Sequence, residues 1–481
     1  MNFEKEIVTL LSSSNFLIYI VTEEEERFEY SLNLISKKIF KQNICSWDFI
    51  EGYSNKYSQK NPLYALNHIQ NIENESTKIF LLKDFNFFIN DLSIIRKIKN
   101  ISQWIKKYNK YIFFTSTEKI IPDTLQEYIT LLEFPLPNYK EINQELNQLL
   151  SIYKINNELS IPEITNAYKG FSIDRIRKSL SKISNRKTNS NILADILKEK
   201  KIFIEKPNLL DFYYSDKSIK DIAGLKNLKR WLRIRQNAFS QKAYNYGIAL
   251  PKGILLVGIQ GTGKSLSAKV ISKEWNLPLL KLDISKIFTG ILGESENKIQ
   301  KVIRICEKIS PCILWIDEIE KIFYNINNNN DSGTTNRINN IFLTWLAEKN
   351  KAVFIVATAN NLENLPIEIL RKGRFDEIFF VNLPNLKERM HIFQIYLSNA
   401  RPLTWHKYNI CYLSKISTYF SGAEIEQAVN EGMYRGFYEN REFNTNDIIL
   451  SIEGTIPLAY TRSKDIKKLQ EWAKLGKIRL A

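Results

Sequence analysis

The stretch Gly258–Ser265, GIQGTGKS, follows the apolar run GILLV and precedes LSAKVIS, whose apolar positions recur at helical spacing. Three glycines, a lysine and a serine at a strand-to-helix junction fit the pattern G-x-x-x-x-G-K-[ST], with Gly258, Gly263, Lys264 and Ser265 in its fixed places. Glycine lets backbone N–H groups turn inward around phosphate oxygens, and the helix that follows adds partial positive charge at its N-terminus. The pattern predicts a phosphate cradle from Gly258 through Ile259, Gln260, Gly261, Thr262 and Gly263 to Leu266. Lys264 would neutralise the β and γ phosphates and Ser265 would ligate magnesium. A chance Gly-rich turn can share such a pattern, so the rest of the chain must decide.

Further along, CILWIDEIE (312–320) carries four apolar residues into the adjacent carboxylates Asp317 and Glu318. A buried strand that delivers two acids to its C-terminal end matches where ligands bind in parallel sheets. Asp317 would hold magnesium through water, and Glu318 would orient and polarise an attacking water. A third strand, AVFIVATAN (352–360), ends at Asn360, whose carboxamide can reach a γ-phosphate from the neighbouring strand.

These parts, in this order, resemble the AAA ATPases. In that family an Asn-ending strand precedes an Arg-x-Gly-Arg-Phe-Asp segment, matched here by Arg371, Gly373, Arg374, Phe375 and Asp376. The resemblance implies that Arg371 and Arg374 are arginine fingers reaching the nucleotide of the next subunit, which would tie hydrolysis to assembly. The segment DIAGL (221–225) resembles the family's adenine-facing loop, so Ile222, Ala223 and Gly224 are candidates there. SGAEIEQAV (421–429) resembles the Ser-Gly-Ala-Asp motif of the helical lid, with Glu424 in place of Asp, and puts Gly422 and Ala423 near the base. One departure concerns TGILGESENKIQ (289–300), where Ile291 and Leu292 stand without the usual aromatic ring of a substrate-gripping loop.

The first half reads as a worn copy of the second. FPLPNYKEINQEL (134–146) resembles VNLPNLKERMHIF (381–393), and GFSIDRI (170–176) resembles YFSGAEI (419–425), at nearly the same separation. What recurs is scaffold without chemistry. The first strand, NFLIYIV, runs into glutamates where a phosphate loop needs glycines and a lysine, and Lys83 and Asp84 replace the Asp-Glu pair. Like charges repel phosphate, so no nucleotide is expected there.

Composition bounds the remainder. A chain of 481 residues with 44% hydrophobic content can bury two or three cores. No apolar run reaches the roughly 18 residues of a bilayer span, so no membrane span is expected. Glu4, Glu6 and the glutamates at 23–26 suit neither a secretory signal nor an acid-poor transit segment. Cys45, Cys306, Cys312 and Cys411 follow no metal-ligand spacing, which favours a reducing interior. The net charge of +16 would suit an anionic partner, but no long basic run with interleaved aromatics appears, so a solvated Lys-rich surface is preferred over nucleic acid.

The fold expected is therefore an α/β AAA module, a parallel sheet flanked by helices plus a helical lid, preceded by a degenerate AAA-like module. The expected division is 1–190 for the first module, 191–215 for a linker, 216–383 for the core, 384–455 for the lid and 456–481 for a tail helix. The whole arrangement resembles AAA proteins encoded in algal plastid genomes, which implies ATP and Mg2+ as ligands and the plastid stroma as location. It also implies a homo-oligomer, with a hexamer as the guess, remodelling a protein partner that no motif names. A nucleic-acid-associated ATPase and a nucleotide-gated scaffold are the alternatives.

Overall fold

A computed structural model describes residues 3–13, 15–53, 60–71, 77–153, 161–184, 192–205, 208–213, 217–288, 294–323, 332–361, 365–475 and 478–481. The chain divides into two compact units, Met1–Leu193 and Ala194–Ala481.

In the first unit six strands, β1 (Leu17–Val21), β2 (Cys45–Asp48), β3 (Gly52–Tyr53), β4 (Ile79–Lys83), β5 (Tyr111–Ser116) and β6 (Thr130–Glu133), lie in the order β3-β2-β4-β5-β1-β6. All pairs are parallel except β2 with β3. The central strands are buried along their length, and Ile18, Tyr19, Phe80, Phe113 and Phe114 are fully enclosed, as expected of a parallel sheet covered on both faces. The helix Leu92–Tyr108 shows how the sequence builds the cover. Ile94, Ile98, Ile101 and Ile105 recur at helical spacing and are all buried, the Asp91 carboxylate caps the start by accepting from Ser93 N–H, and Asn109 stops it in the left-handed conformation.

The second unit repeats the plan. Its strands β7 (Leu210–Tyr213), β8 (Gly253–Gly258), β9 (Leu279–Leu282), β10 (Cys312–Ile316), β11 (Val353–Ala359), β12 (Glu377–Val381) and β13 (Arg479–Leu480) lie in the order β13-β12-β8-β11-β10-β9-β7. Only β7 runs antiparallel, to β9. Setting aside β3, β7 and β13, the two sheets share one order, with the first strand inserted between the last and the fourth. Alternate residues of β8 serve opposite cores: Leu255 and Val257 on one face, Ile254 and Leu256 on the other. This order places the C-terminal ends of β8, β11 and β10 side by side, which is where the chemistry collects.

The repeat extends to the lid. After each Leu-Pro pair an Asn opens a helix with the same reciprocal cap. Asn138 N–H donates to Glu141 at 2.7 Å while Glu141 N–H donates to Asn138 at 3.1 Å, and Asn385 and Glu388 do the same at 2.9 and 3.0 Å. The helices Leu386–Ala400, Ile410–Ile416, Gly422–Tyr438 and Thr445–Glu453 enclose a separate core around Phe393, Leu397, Leu413, Ile425 and Ile448.

The segment between the modules supplies the helix Ile192–Glu205 and strand β7, whose alternating Leu210 and Phe212 bury against the edge of the second sheet. The helix Ser332–Glu348 buries Ile338, Phe342 and Leu346 at helical spacing. In the tail helix Ser463–Leu475 the inward positions are Ile466 and Ala473, while Leu475 is 85% exposed. The apolar pair Ile291–Leu292 lies outside the described residues.

Candidate functional site

The loop after β8 folds as its glycines dictate. A Cβ on Gly258 would stand 2.1 Å from the Val381 carbonyl oxygen, because β12 lies directly against the end of β8. Gly263, at φ +92°, opens the helix Lys264–Trp275 in a conformation that L side chains rarely adopt. Lys264 is 6% exposed, and its ammonium donates to the carbonyls of Gly258 at 2.8 Å and Ile259 at 2.6 Å. Burial lowers its pKa to about 8, against the opposing pull of Glu320, Asp317 and Glu318. A buried cation held only by neutral carbonyls is a receptor for an anion.

Opposite the loop, Ser265 Oγ donates to Asp317 Oδ1 at 2.9 Å. Thr358 on β11 donates to the same oxygen at 2.6 Å and accepts from Glu318 N–H at 3.0 Å. Glu318 itself sits at φ +53°, which turns the chain sharply off β10 and presents its carboxylate beside β11. There Asn360 Nδ2 donates to Glu318 Oε1 at 3.0 Å, and Lys321 pairs with the other oxygen. The Ser265 hydroxyl and Asp317 carboxylate are hard oxygen donors that fit Mg2+. Among the described residues no group of three or more His, Cys, Asp or Glu is placed to hold a metal ion. An ion there would complete its shell from water and phosphate, as magnesium commonly does.

A cleft of about 460 Å³ joins these groups. Gln260 to Leu266, Asp317, Glu318, Thr358 and Asn360 line one end, and Ile222, Ala223, Gly422 and Ala423 line the other. The lid closes on the loop through Ala423 N–H, which donates to Gly261 O at 3.1 Å. The size suits a small-molecule ligand. Gly224 lies outside the lining: at φ +64° it packs against Glu388 and shapes the turn that presents Ile222 and Ala223. Gly258 and Ile259 face a second cavity, under the tail helix. Tyr396, whose hydroxyl donates to Glu426 at 3.0 Å, joins the cleft with Glu426, Ile392, Ile395, Lys217 and Asn399. Thr358 carried a signal of its own, as the sole hydroxyl in an otherwise apolar strand.

Arg371 and Arg374 do not line the cleft of their own chain. Their segment is pinned to the base of β8. Asp376 accepts from the backbone N–H groups of Lys252 at 2.7 Å and Gly253 at 3.0 Å, and Lys252 Nζ donates to Gly373 O at 2.7 Å. Arg374 Nη1 is buried with no hydrogen-bond partner among the described residues.

The first unit holds the same frame with the charges exchanged. Lys83, opposite Thr115 in the β4–β5 register, stands where the second unit has Asp317 beside Thr358. Asp84 follows at φ +49°, as Glu318 does at +53°. The helix after β1 opens with Glu25 where the other opens with Lys264, and Lys83 pairs with Glu25 at 3.5 Å and Glu29 at 2.8 Å. The preceding Glu24, 6% exposed, accepts from Ile173 N–H at 2.7 Å at the start of the helix Ile173–Ser184 and pairs with Arg27 at 3.2 Å. A carboxylate therefore ties this lid helix to the loop, where Gly261 O does so in the second unit. Glu24→Ala is expected to destabilise this contact by about 1–3 kcal/mol, because the part-buried Ile173 amide loses its acceptor and Arg27 one of its ion-pair partners. Hydrogen exchange localised to residues 173–184 checks this, and unchanged protection counts against it.

Comparison with known proteins finds two family matches in the chain. Residues 254–383 match the ATPase family associated with various cellular activities (AAA), and residues 3–134 match the N-terminal domain of SpoVK-like AAA ATPases. The chain is 51% identical, over the full length of both, to "Uncharacterized AAA domain-containing protein ycf46" of Gracilaria tenuistipitata var. liui. It is 47% identical to the protein of that name in Guillardia theta, covering all of this chain and 97% of the relative. A proteasome-activating nucleotidase of Sulfurisphaera tokodaii is 33% identical over 52% of this chain and 63% of its own.

Proposed function

Because the chain belongs to the AAA family of ATPases, we propose that its second unit binds ATP with Mg2+ in the 460 Å³ cleft and hydrolyses it. The observation that carries this reading is the convergence of Lys264, the Ser265–Asp317 pair and the Glu318–Asn360 pair at the ends of three adjacent strands. Lys264 would exchange its two carbonyl partners for phosphate oxygens. Ser265 and Asp317 would hold the ion, which supplies charge neutralisation at the phosphates. Glu318 would take the proton of the attacking water, and Asn360 would fix where that carboxylate points. Ile222, Ala223, Gly422 and Ala423 would enclose the base.

Arg371 and Arg374 would complete the site of a neighbouring copy, so the working form is a homo-oligomer, with a hexameric ring as the guess. Such an assembly would couple turnover to remodelling of a protein partner. The first unit, with Glu25 and Lys83 neutralising each other, would carry no nucleotide. The printed name and algal sources of the full-length relatives support a plastid location, with the stroma as the proposed compartment. No helix among the described residues is long and apolar enough to cross a membrane. Steady-state phosphate release and solution mass, with and without MgATP, test the reading; a monomer without turnover would sink it.

Lys264 makes the affinity depend on pH. Its pKa near 8 in the ligand-free protein means that the ammonium is in place below that value. Above it the free protein must take up a proton to bind, so ATP affinity should fall about tenfold per pH unit, until the higher pKa of the complex is passed. Fluorescent-nucleotide titrations from neutral pH upward check this, and a flat profile to pH 9 or so would contradict it.

A further inference from the structure

We infer that Glu320 is a positioning residue that sets the Glu318–Asn360 pair, an inference that rests on the ATPase reading above. Glu320 is 7% exposed and begins the short helix that follows the sharp turn at Glu318. Its side chain reaches beneath the end of β11, where Oε1 accepts from the backbone N–H groups of Asn360 at 2.8 Å and Asn361 at 3.3 Å. Strand β11 ends at Ala359, so these are the first two amides past the ladder. Asn360 is thus held at both ends, by Glu320 through its backbone and by Glu318 through its carboxamide.

The geometry separates this role from binding. Glu320 makes no hydrogen bond to Lys264, Ser265 or Asp317, and it does not line the cleft. Oε1 does the holding, while Oε2 is buried with no hydrogen-bond partner among the described residues. The carboxylate charge does reach Lys264, whose ammonium it favours. Two mechanisms are therefore distinguishable. If Glu320 acts by holding Asn360, a neutral side chain of the same length suffices; if it acts by charge on Lys264, removing the charge alone weakens nucleotide binding.

Wild-type turnover of MgATP is measured first; its absence removes the ATPase reading and this inference with it. Given turnover, Glu320→Ala is expected to lower kcat about 10- to 10²-fold while leaving KM within about twofold, the size of effect that a displaced catalytic group produces. Glu320→Gln keeps an acceptor at the same reach and should stay within about threefold of wild type. In an Asn360→Ala background the Glu320→Ala change should add nothing further, since residues acting as a unit are not additive. A purely structural residue would instead lower the melting temperature without this split. The inference is overturned if Glu320→Ala retains wild-type kcat, if Glu320→Gln is as impaired as Glu320→Ala, or if the double substitution is additive. Should the alanine variant fail to fold, Glu320→Asp serves in its place, because one methylene less withdraws the acceptor from both amides, and the same outcomes apply.

Discussion

The Glu318→Gln protein is expected to turn over ATP about 10²- to 10⁴-fold more slowly than wild type while binding it with undiminished affinity. Glutamine preserves what the structure shows Glu318 doing at rest: its amide oxygen can still accept from Asn360 Nδ2, and the backbone N–H still reaches Thr358 Oγ1. It loses the negative charge that attracts a water proton. Lys264, Ser265 and Asp317 keep their contacts, so nucleotide and metal binding are untouched. Phosphate release and fluorescent-nucleotide titration on the same preparation separate the two effects. Turnover within tenfold of wild type would mean that another group activates the water.

The second large effect concerns a residue remote from its own cleft. Arg374→Ala is expected to lower turnover about 10³-fold or more, the usual contribution of an arginine finger, without weakening ATP binding by the isolated chain. Arg374 does not line its own cleft, and its segment is fastened by Asp376 and Lys252 to the base of β8, so under the reading proposed above its guanidinium would serve a neighbouring copy. The trans assignment has a direct test. Mixing Arg374→Ala with Glu318→Gln chains should restore part of the activity, because some interfaces then pair an intact Glu318 with an intact finger. If Arg374→Ala alone hydrolyses at the wild-type rate, or if mixing restores nothing while both variants assemble, the residue serves its own fold instead.

How far the residues alone led is clearest at the two ends of the cleft. At the end proposed for phosphate the chemistry is local in sequence: a loop that must turn tightly needs glycine, a helix start proposed to hold an anion needs a lysine, and both fall within Gly258–Ser265. The paired acids Asp317 and Glu318 close an apolar run that can only be a buried strand. At the end proposed for the base, Ile392, Ile395, Asn399 and Glu426 come from two lid helices whose patterns report core packing and nothing more. The same contrast holds in the first unit. The repeated Leu-Pro-Asn marked a lid helix in advance, and its capping box is present in both units.

By itself the sequence determined the nucleotide-site motifs, the strand-to-helix alternation and the absence of a phosphate loop before residue 100 or so, because each depends on residues adjacent along the chain. Only the tertiary structure decided the rest. Parallel pairing set Thr358 against Asp317, and Asn360 within reach of Glu318 and Glu320, across some forty residues of intervening chain. It also showed that Lys83 and Glu25, which the sequence marks separately as replacements for the second unit's chemistry, pair with each other. The physical reason is the same in both cases. A strand's neighbours are chosen by packing of the whole sheet, and no local window of sequence records which side chain will stand opposite.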